Sequence, residues 1–416
     1  MIANKKQLMS SVKKIFKSIG PGFIMAAVVL GPGSITTASK IGSTQGYAFL
    51  WVILIAAISM AVYSNMSTRF GVLHEKSILK VISEKYGKWL AMAIGISSFL
   101  AALSFQFGNN LGVGMGMETL TGINARVWPL IFTPGAIVLI FFAKNLYKTL
   151  EKLMMFMVMA MILAFVINLV FIKPDLAEAA VGFVPKFFSN DNFHQVAALV
   201  GTTFVLHCAL YQSYLVQNKG WKLADKDKGI RDSNLGVFML ALMSSLVIIT
   251  AAATLKPMGI VINSAADMAI QLEVLLGGYA KYIFTFGFIS AAFSSLLVNS
   301  VIGGGLLADS MGMGRSMEEK MPKIFTTVIL LAGMLIALFV SGNGSPVYAL
   351  IMAQASSMLA VPLIAIGLFL VLNNQGLMGE YKNSRLQNVL AIVGFVLICI
   401  LVYIMYGKLM GYLGAM

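Results

Sequence analysis

The stretch Gly20–Tyr47, GPGFIMAAVVLGPGSITTASKIGSTQGY, decides how this chain is read. It opens as an apolar helix, meets Gly31-Pro32-Gly33-Ser34, and resumes as a more polar helix running towards Tyr47. Proline removes a backbone donor and collides with the preceding turn, while glycines let the chain leave helical geometry. In a bilayer the groups freed by such a break find no water, so it survives only where it is buried in protein or lines a cavity. An interrupted helix near mid-membrane marks the binding site of many secondary transporters. A substrate is expected to meet the chain here.

Composition sets the class. The chain has 416 residues, 59% hydrophobic and 11% charged, against ~25% charged on average. Apolar runs of the roughly 20 residues that span a bilayer recur along nearly its whole length. The expected fold class is all-α integral membrane, with the lipid bilayer as its surroundings. The net charge of +14 would suggest nucleic acid in a soluble chain. Here Lys and Arg sit in short loops between apolar runs, where they set topology, so no nucleic-acid partner is expected. Lys5, Lys6, Lys13, Lys14 and Lys17, with no small-residue cleavage site after them, read as a cytoplasmic extension over residues 1–17. Cys208 and Cys399 lie in apolar stretches and read as packed thiols.

After the broken first helix, further spans are expected at about 48–66, 90–117, 128–144, 154–172, 193–217, 235–255, 279–311, 324–340, 347–372 and 389–406, eleven in all. With the N-terminus cytoplasmic, clustered Lys and Arg fall in the loops Arg69–Lys88, Lys144–Lys152, Lys219–Arg231, Arg315–Lys323 and Lys382–Arg385. The opposite loops hold isolated charges such as Arg126, Lys173, Lys186, Lys256 and Lys281. This asymmetry follows the positive-inside rule and puts the C-terminus outside a plasma membrane. The sixth span is also polar in its middle, at Thr202, Thr203, His207 and Gln212. Breakable spans five apart form the pattern of an inverted repeat of five helices plus five, about 18–172 and 193–372, with the eleventh added within one transmembrane domain over 18–416.

Three stretches carry a family resemblance. The first helix resembles the GPG…DPGN signature of the NRAMP family of metal-ion transporters, through Gly46-Tyr47 and Leu50-Trp51-Val52. The sixth, GTTFVLHCALYQSYLVQ, is similar to that family's GATVMPHNLYLHSSLVQ, and Leu377-Met378-Gly379-Glu380 with Asn383-Ser384-Arg385 to its LMGEFxNSR. The resemblance implies a LeuT-like fold and alternating access around broken helices one and six. It also exposes departures. The family's metal-binding Asp, Asn and Met fall on Gly31, Ser34 and Val205, and the Pro after the Met is Leu206. The acidic pair expected on the third helix falls on Gln106 and Asn109, the second histidine of helix six is Gln212, and the ninth span holds no arginine.

Mn²⁺ and Fe²⁺ favour carboxylate, carbonyl and water ligands, with thioether adding softness. Carboxylate, amide and thioether are lost together here, so the ordinary metal site is rejected and no resident metal or cofactor is expected. Glycines at the break expose N–H groups at the start of the second half-helix, where the dipole favours a carboxylate or other anion. The substrate site is expected to comprise Gly31, Ser34, Thr202, Val205, His207 and Gln354, with Gly31 and Val205 making room for a small organic solute. A non-standard cation, a metal ion held in a rebuilt weak site, or no transported substrate, remain alternatives. For coupling, the candidates are His207, Gln106, Asn109, Ser294 and Ser295, with Asn110 on the same face as the helix-three amides. Lys40 either snorkels outward or places a positive charge in the outer vestibule. No nucleotide-binding motif suggests a primary pump and no nucleophile–base arrangement an enzyme. Secondary transport by a chain for which a monomer is plausible is the expected function, a sensor or scaffold with a transporter fold the other class.

Overall fold

The computed structural model describes residues 20–142, 156, 162–185, 192–340 and 345–414. Among the described residues the regular structure is helical, without a strand. The first span is split into α1 (Pro21–Val29) and α2 (Pro32–Gln45). There follow α3 (Leu50–Leu73), α4 (Ile78–Tyr86), α5 (Lys88–Thr121), α6 (Pro129–Phe142) and α7 (Ile162–Ile172). The second half holds α8 (Phe193–Thr203), α9 (Leu206–Asn218), α10 (Lys226–Thr254), α11 (Ala280–Ser310), α12 (Lys320–Val340), α13 (Pro346–Ser357), α14 (Val361–Asn373) and α15 (Arg385–Gly414). Among the described residues nine helices are long and apolar enough to cross a membrane. The split first helix and α7 are the shorter pieces standing at the other two of the eleven expected spans. The expected extension 1–17 and the link 144–152 lie outside the described residues.

Two boundaries differ from the sequence reading. Arg69, expected in a cytoplasmic loop, lies on α3 and is only 5% exposed. Its guanidinium donates to the Tyr381 carbonyl at 2.7 Å and to Asn383 Oδ1 at 2.6 Å, tying α3 to the loop before α15. The loop itself folds α4, capped by Ser77 Oγ accepting from the Lys80 N–H, with Ile78, Leu79, Val81 and Ile82 buried. Charge dominated the reading of that segment and hid its short apolar stripe.

In the core, α5 packs on α11, α12 and α13, while α10 lies along α1, α2 and α3. The stretch after α10 is ordered by a capping box at Ser264 and Asp267. From it Gln271 Nε2 donates to Ser39 Oγ on α2 at 3.0 Å, and its Oε1 accepts from Thr250 on α10 at 3.1 Å. Its carbonyl accepts from Asn168 on α7 at 2.7 Å.

The start of α1 is held by a carboxylate from another helix. Asp232 on α10 accepts the Gly20 N–H at 2.8 Å and the Gly22 N–H at 2.7 Å, and is itself buried. Those are orphan donors of a helix N-terminus, where negative charge is favoured. A Cβ on Gly22 would lie 2.2 Å from the Asp232 carbonyl, so the GPG start is what lets α1 dock. Asp232→Ala is expected to destabilise the protein by about 3 kcal/mol through loss of two charge-assisted bonds. Thermal unfolding in detergent reads this directly, and an unchanged transition would mean that the carboxylate does not hold α1.

Candidate functional site

Both central helices break where the sequence placed a site. Between α1 and α2, Leu30 and Gly31 leave helical geometry, Gly31 standing extended before Pro32 at the first helical position. Between α8 and α9, Phe204 and Val205 do the same, with neither glycine nor proline at the break itself. The end of α1 therefore has carbonyl oxygens without an intrahelical partner. Two are met by hydroxyls: Ser295 on α11 donates to the Val28 carbonyl at 2.8 Å, and Ser34 reaches back across the break to the Val29 carbonyl at 2.5 Å.

From Ser295 a chain of bonds runs into α9. Asn299 Nδ2 donates to Ser295 Oγ at 2.9 Å, which turns its Oδ1 towards His207 Nε2 at 3.0 Å. The ring hydrogen is thereby assigned to Nε2, leaving Nδ1 buried without a partner. The Phe105 ring of α5 meets the imidazole edge-on at 5.4 Å between centroids. A second cluster lies on α5: Asn109 donates to Gln106 Oε1 at 3.3 Å, and Asn110 to the Gln106 carbonyl at 2.9 Å. Gln106 Nε2 donates to the Leu296 carbonyl on α11 at 2.8 Å, and Asn110 Oδ1 accepts from Thr133 of α6 at 2.8 Å. Amides thus bind α5 to α11 and α6, each polar side chain buried.

Gln354 of α13 lies over the start of α2. A Cβ on Gly33 would fall 2.3 Å from both Cδ and Nε2 of Gln354, and one on Gly108 of α5 2.6 Å from Nε2. The carboxamide occupies the gap that these two glycines leave, and its Oε1 has no partner. The space at Gly31 is also taken. A Cβ there would stand 2.9 Å from Ser295 Oγ and 3.2 Å from Asn109 Oδ1, so in this conformation the glycine does not open the room expected of it.

The structure therefore brings Gly31, Ser34, Ser295 and Asn109 together, sets Gln354 against Gly33, and connects His207 through Asn299. Thr202 and Ser294 differ: their hydroxyls turn back to the Leu199 and Ala291 carbonyls of their own helices. Ser294 does not join Ser295 against helix one because neighbouring residues on a helix point about 100° apart. Lys40 is half-buried and donates to the Ile262 carbonyl of the stretch after α10 at 3.4 Å. The sequence reading did not single out Asn299 or Gly33. Asn299 stands one helical turn after Ser295, a spacing that could have flagged it; the Gly33–Gln354 contact has no sequence signal.

Two interrupted helices crossing a buried, polar seam define a membrane protein of the transporter class built on discontinuous helices. A family model described as natural resistance-associated macrophage protein-like matches residues 22–407, and the chain belongs to that family. A divalent metal cation transporter, MntH, of Bacillus subtilis is 24% identical over 374 residues, covering 88% of this chain and 86% of that protein. The manganese transporter of Eremococcus coleocola, solved with an aromatic bis-isothiourea compound, superposes with a TM-score of 0.76 at 17% identity, over 95% of this chain and 86% of that one. The fold also matches MhsT, solved in complex with L-phenylalanine, with a TM-score of 0.61 at 16% identity, over 92% of this chain and 97% of that one. The fold is that of the LeuT-like transporters.

Two buried amides are expected to respond in opposite ways. Asn299→Leu strips both Ser295 and His207 of a partner and should cost about 2–5 kcal/mol. Gln212→Leu replaces an amide whose oxygen and nitrogen are both buried without partners, and should be neutral or stabilising. Melting temperatures of the two variants, side by side, check the pair.

Proposed function

We propose that the chain is a secondary transporter that works by alternating access around α1–α2 and α8–α9, and that its central site takes a small organic solute presenting hydrogen-bond acceptors rather than Mn²⁺ or Fe²⁺. In this reading it crosses the plasma membrane eleven times with its N-terminus cytoplasmic. The sequence relative from Bacillus subtilis is a divalent metal cation transporter by name; what separates this chain from it is the donor set described above.

One observation carries the reading. The carbonyl oxygens of Val28 and Val29, which would face a cation at the break, each accept a hydroxyl hydrogen from Ser295 or Ser34. Two of the acceptors released by the broken helix are thus already engaged inside the protein. Its donors are not: the first turn of α2 has no side-chain cap, and the helix dipole there favours negative charge. No Asp, Glu, Lys or Arg stands among Gly31, Ser34, Gln106, Asn109, Thr202, Val205, His207, Ser295, Asn299 and Gln354. A dication would meet its hydration cost there without a counter-charge, whereas a carboxylate or carbonyl would find N–H donors once Gln354 moves aside. Proton coupling, if present, falls to His207, since neutral amides do not titrate.

Calorimetry on the purified full chain in nanodiscs tests this, with Mn²⁺ in one arm and a panel of small carboxylates and amino acids in the other. Saturable binding of an organic solute, abolished by Ser34→Leu, with no Mn²⁺ binding, is the expected result. Mn²⁺ binding abolished by the same substitution would overturn it. In the double variant Ser34→Ala, Ser295→Ala both carbonyls are uncovered, and a gain in cation affinity over the parent is expected.

A further inference from the structure

We propose a second binding site, for a small zwitterion such as an α-amino acid, on the outer face of the protein at the far end of α2. It goes beyond the central-site reading and does not depend on it. A cavity of about 480 Å³ lies between the C-terminus of α2, the hairpin that follows α7 (residues 173–185, whose short helix Leu176–Val181 is capped by Asp175), and the end of α10. Its walls carry Tyr47, Lys173, Asp175, Glu178 and Lys256. Two positive and two negative groups therefore face one space. Among the described residues the ion pairs join Lys76 to Glu84, Lys222 to Glu75 and Lys226 to Asp227, so none of these four is paired.

The walls are built rather than incidental. The hairpin is docked on the corner after α2: the Trp51 N–H donates to the Gly182 carbonyl at 3.0 Å. A Cβ on Gly182 would meet the Tyr47 carbonyl at 2.2 Å. Asp175 Oδ1 accepts from the N–H groups of Ala177 and Glu178 at 2.9 and 3.0 Å, which fixes the carboxyl and leaves its second oxygen for a ligand. Lys173 holds a left-handed backbone at φ 48°, the one non-glycine residue at positive φ among the described residues. A long side chain is kept at a position that glycine or asparagine would fill more cheaply. Across the cavity, a Cβ on Gly46 would lie 2.7 Å from Lys256 Nζ, so that ammonium sits directly over the end of α2.

A lone anion would satisfy the lysines and leave two carboxylates facing it, and a lone cation would do the reverse. A molecule with an ammonium and a carboxylate on one carbon answers both pairs at once: Asp175 and Glu178 take the ammonium, Lys256 and Lys173 the carboxylate. The site is distinct from the central break. The fourteen residues of α2 separate the two by about 21 Å at 1.5 Å per residue.

The test is calorimetry on the full chain in nanodiscs with glycine and L-alanine, set against acetate and methylammonium, which each carry half of the zwitterion. Glycine and L-alanine should bind and the half-probes bind more weakly. Glu178→Gln and Lys256→Gln, both exposed positions, should each weaken glycine binding about fivefold, as expected for losing one solvent-facing charge contact. Ser34→Leu should leave it unchanged, with size-exclusion elution confirming that each variant is folded. Acetate or methylammonium binding as tightly as glycine, or no binding of glycine and L-alanine, overturns the proposal. Glycine binding that is lost in Ser34→Leu but indifferent to Glu178→Gln and Lys256→Gln also overturns it, and assigns the zwitterion to the central site, leaving the functional reading standing.

Discussion

A helix that ends inside a bilayer must find partners for its last carbonyl oxygens, because hydrocarbon supplies none. At the end of α1 that requirement is met by two serine hydroxyls, Ser34 from beyond the break and Ser295 from α11. Much of the centre follows from it. Ser295, once it donates to Val28, has lone pairs for Asn299, and Asn299 in turn fixes the imidazole of His207. Thus the satisfaction of one carbonyl orients a line of side chains across three helices.

The polarity of the molecule is graded along its helices. The centre is bonded by neutral amides and hydroxyls, while carboxylates stand towards the ends: buried Asp232 at the start of α1, and half-buried Asp309 near the end of α11, which accepts from the Tyr214 hydroxyl at 2.6 Å. A charged side chain at mid-membrane costs about 3 kcal/mol on insertion scales, and this sequence avoids the cost where its relatives' signature places an acid. The amide cluster on α5 keeps the packing function of a polar seam without its titration.

How much of this was legible depends on how local the cause is. The break at Gly31 is written in four consecutive residues, whose stereochemistry forbids a continuous helix. The sixth-helix break is not: Phe204 and Val205 are ordinary helix-compatible residues, and the polar content around them, the five-helix spacing and the family resemblance of that helix pointed there instead. The serine pair at 294 and 295 was visible, but which hydroxyl faces α1 is a matter of helix phase, set by packing. The filling of the Gly31 space by Ser295 and Asn109, and the seating of Gln354 on Gly33, arise between distant segments and leave no local trace. Arg69 shows a related failure, since a basic residue near an apolar boundary looks like a loop until its neutral partners at Tyr381 and Asn383 are known.

Gln271 lies in a stretch that reads as a connecting loop, yet one residue clasps α2, α7 and α10 together through its amide and its carbonyl. Removing its carboxamide would leave the buried Ser39 hydroxyl without the donor it accepts from, whereas Thr250 would keep its bonds to the Leu246 and Val247 carbonyls of its own helix. Any rearrangement that parts these three helices at this point must first break that clasp. At the other end of the broken helix the start of α1 is tied to α10 by the two bonds of Asp232, so each half of that helix is anchored to its neighbours by buried polar contacts as well as by packing.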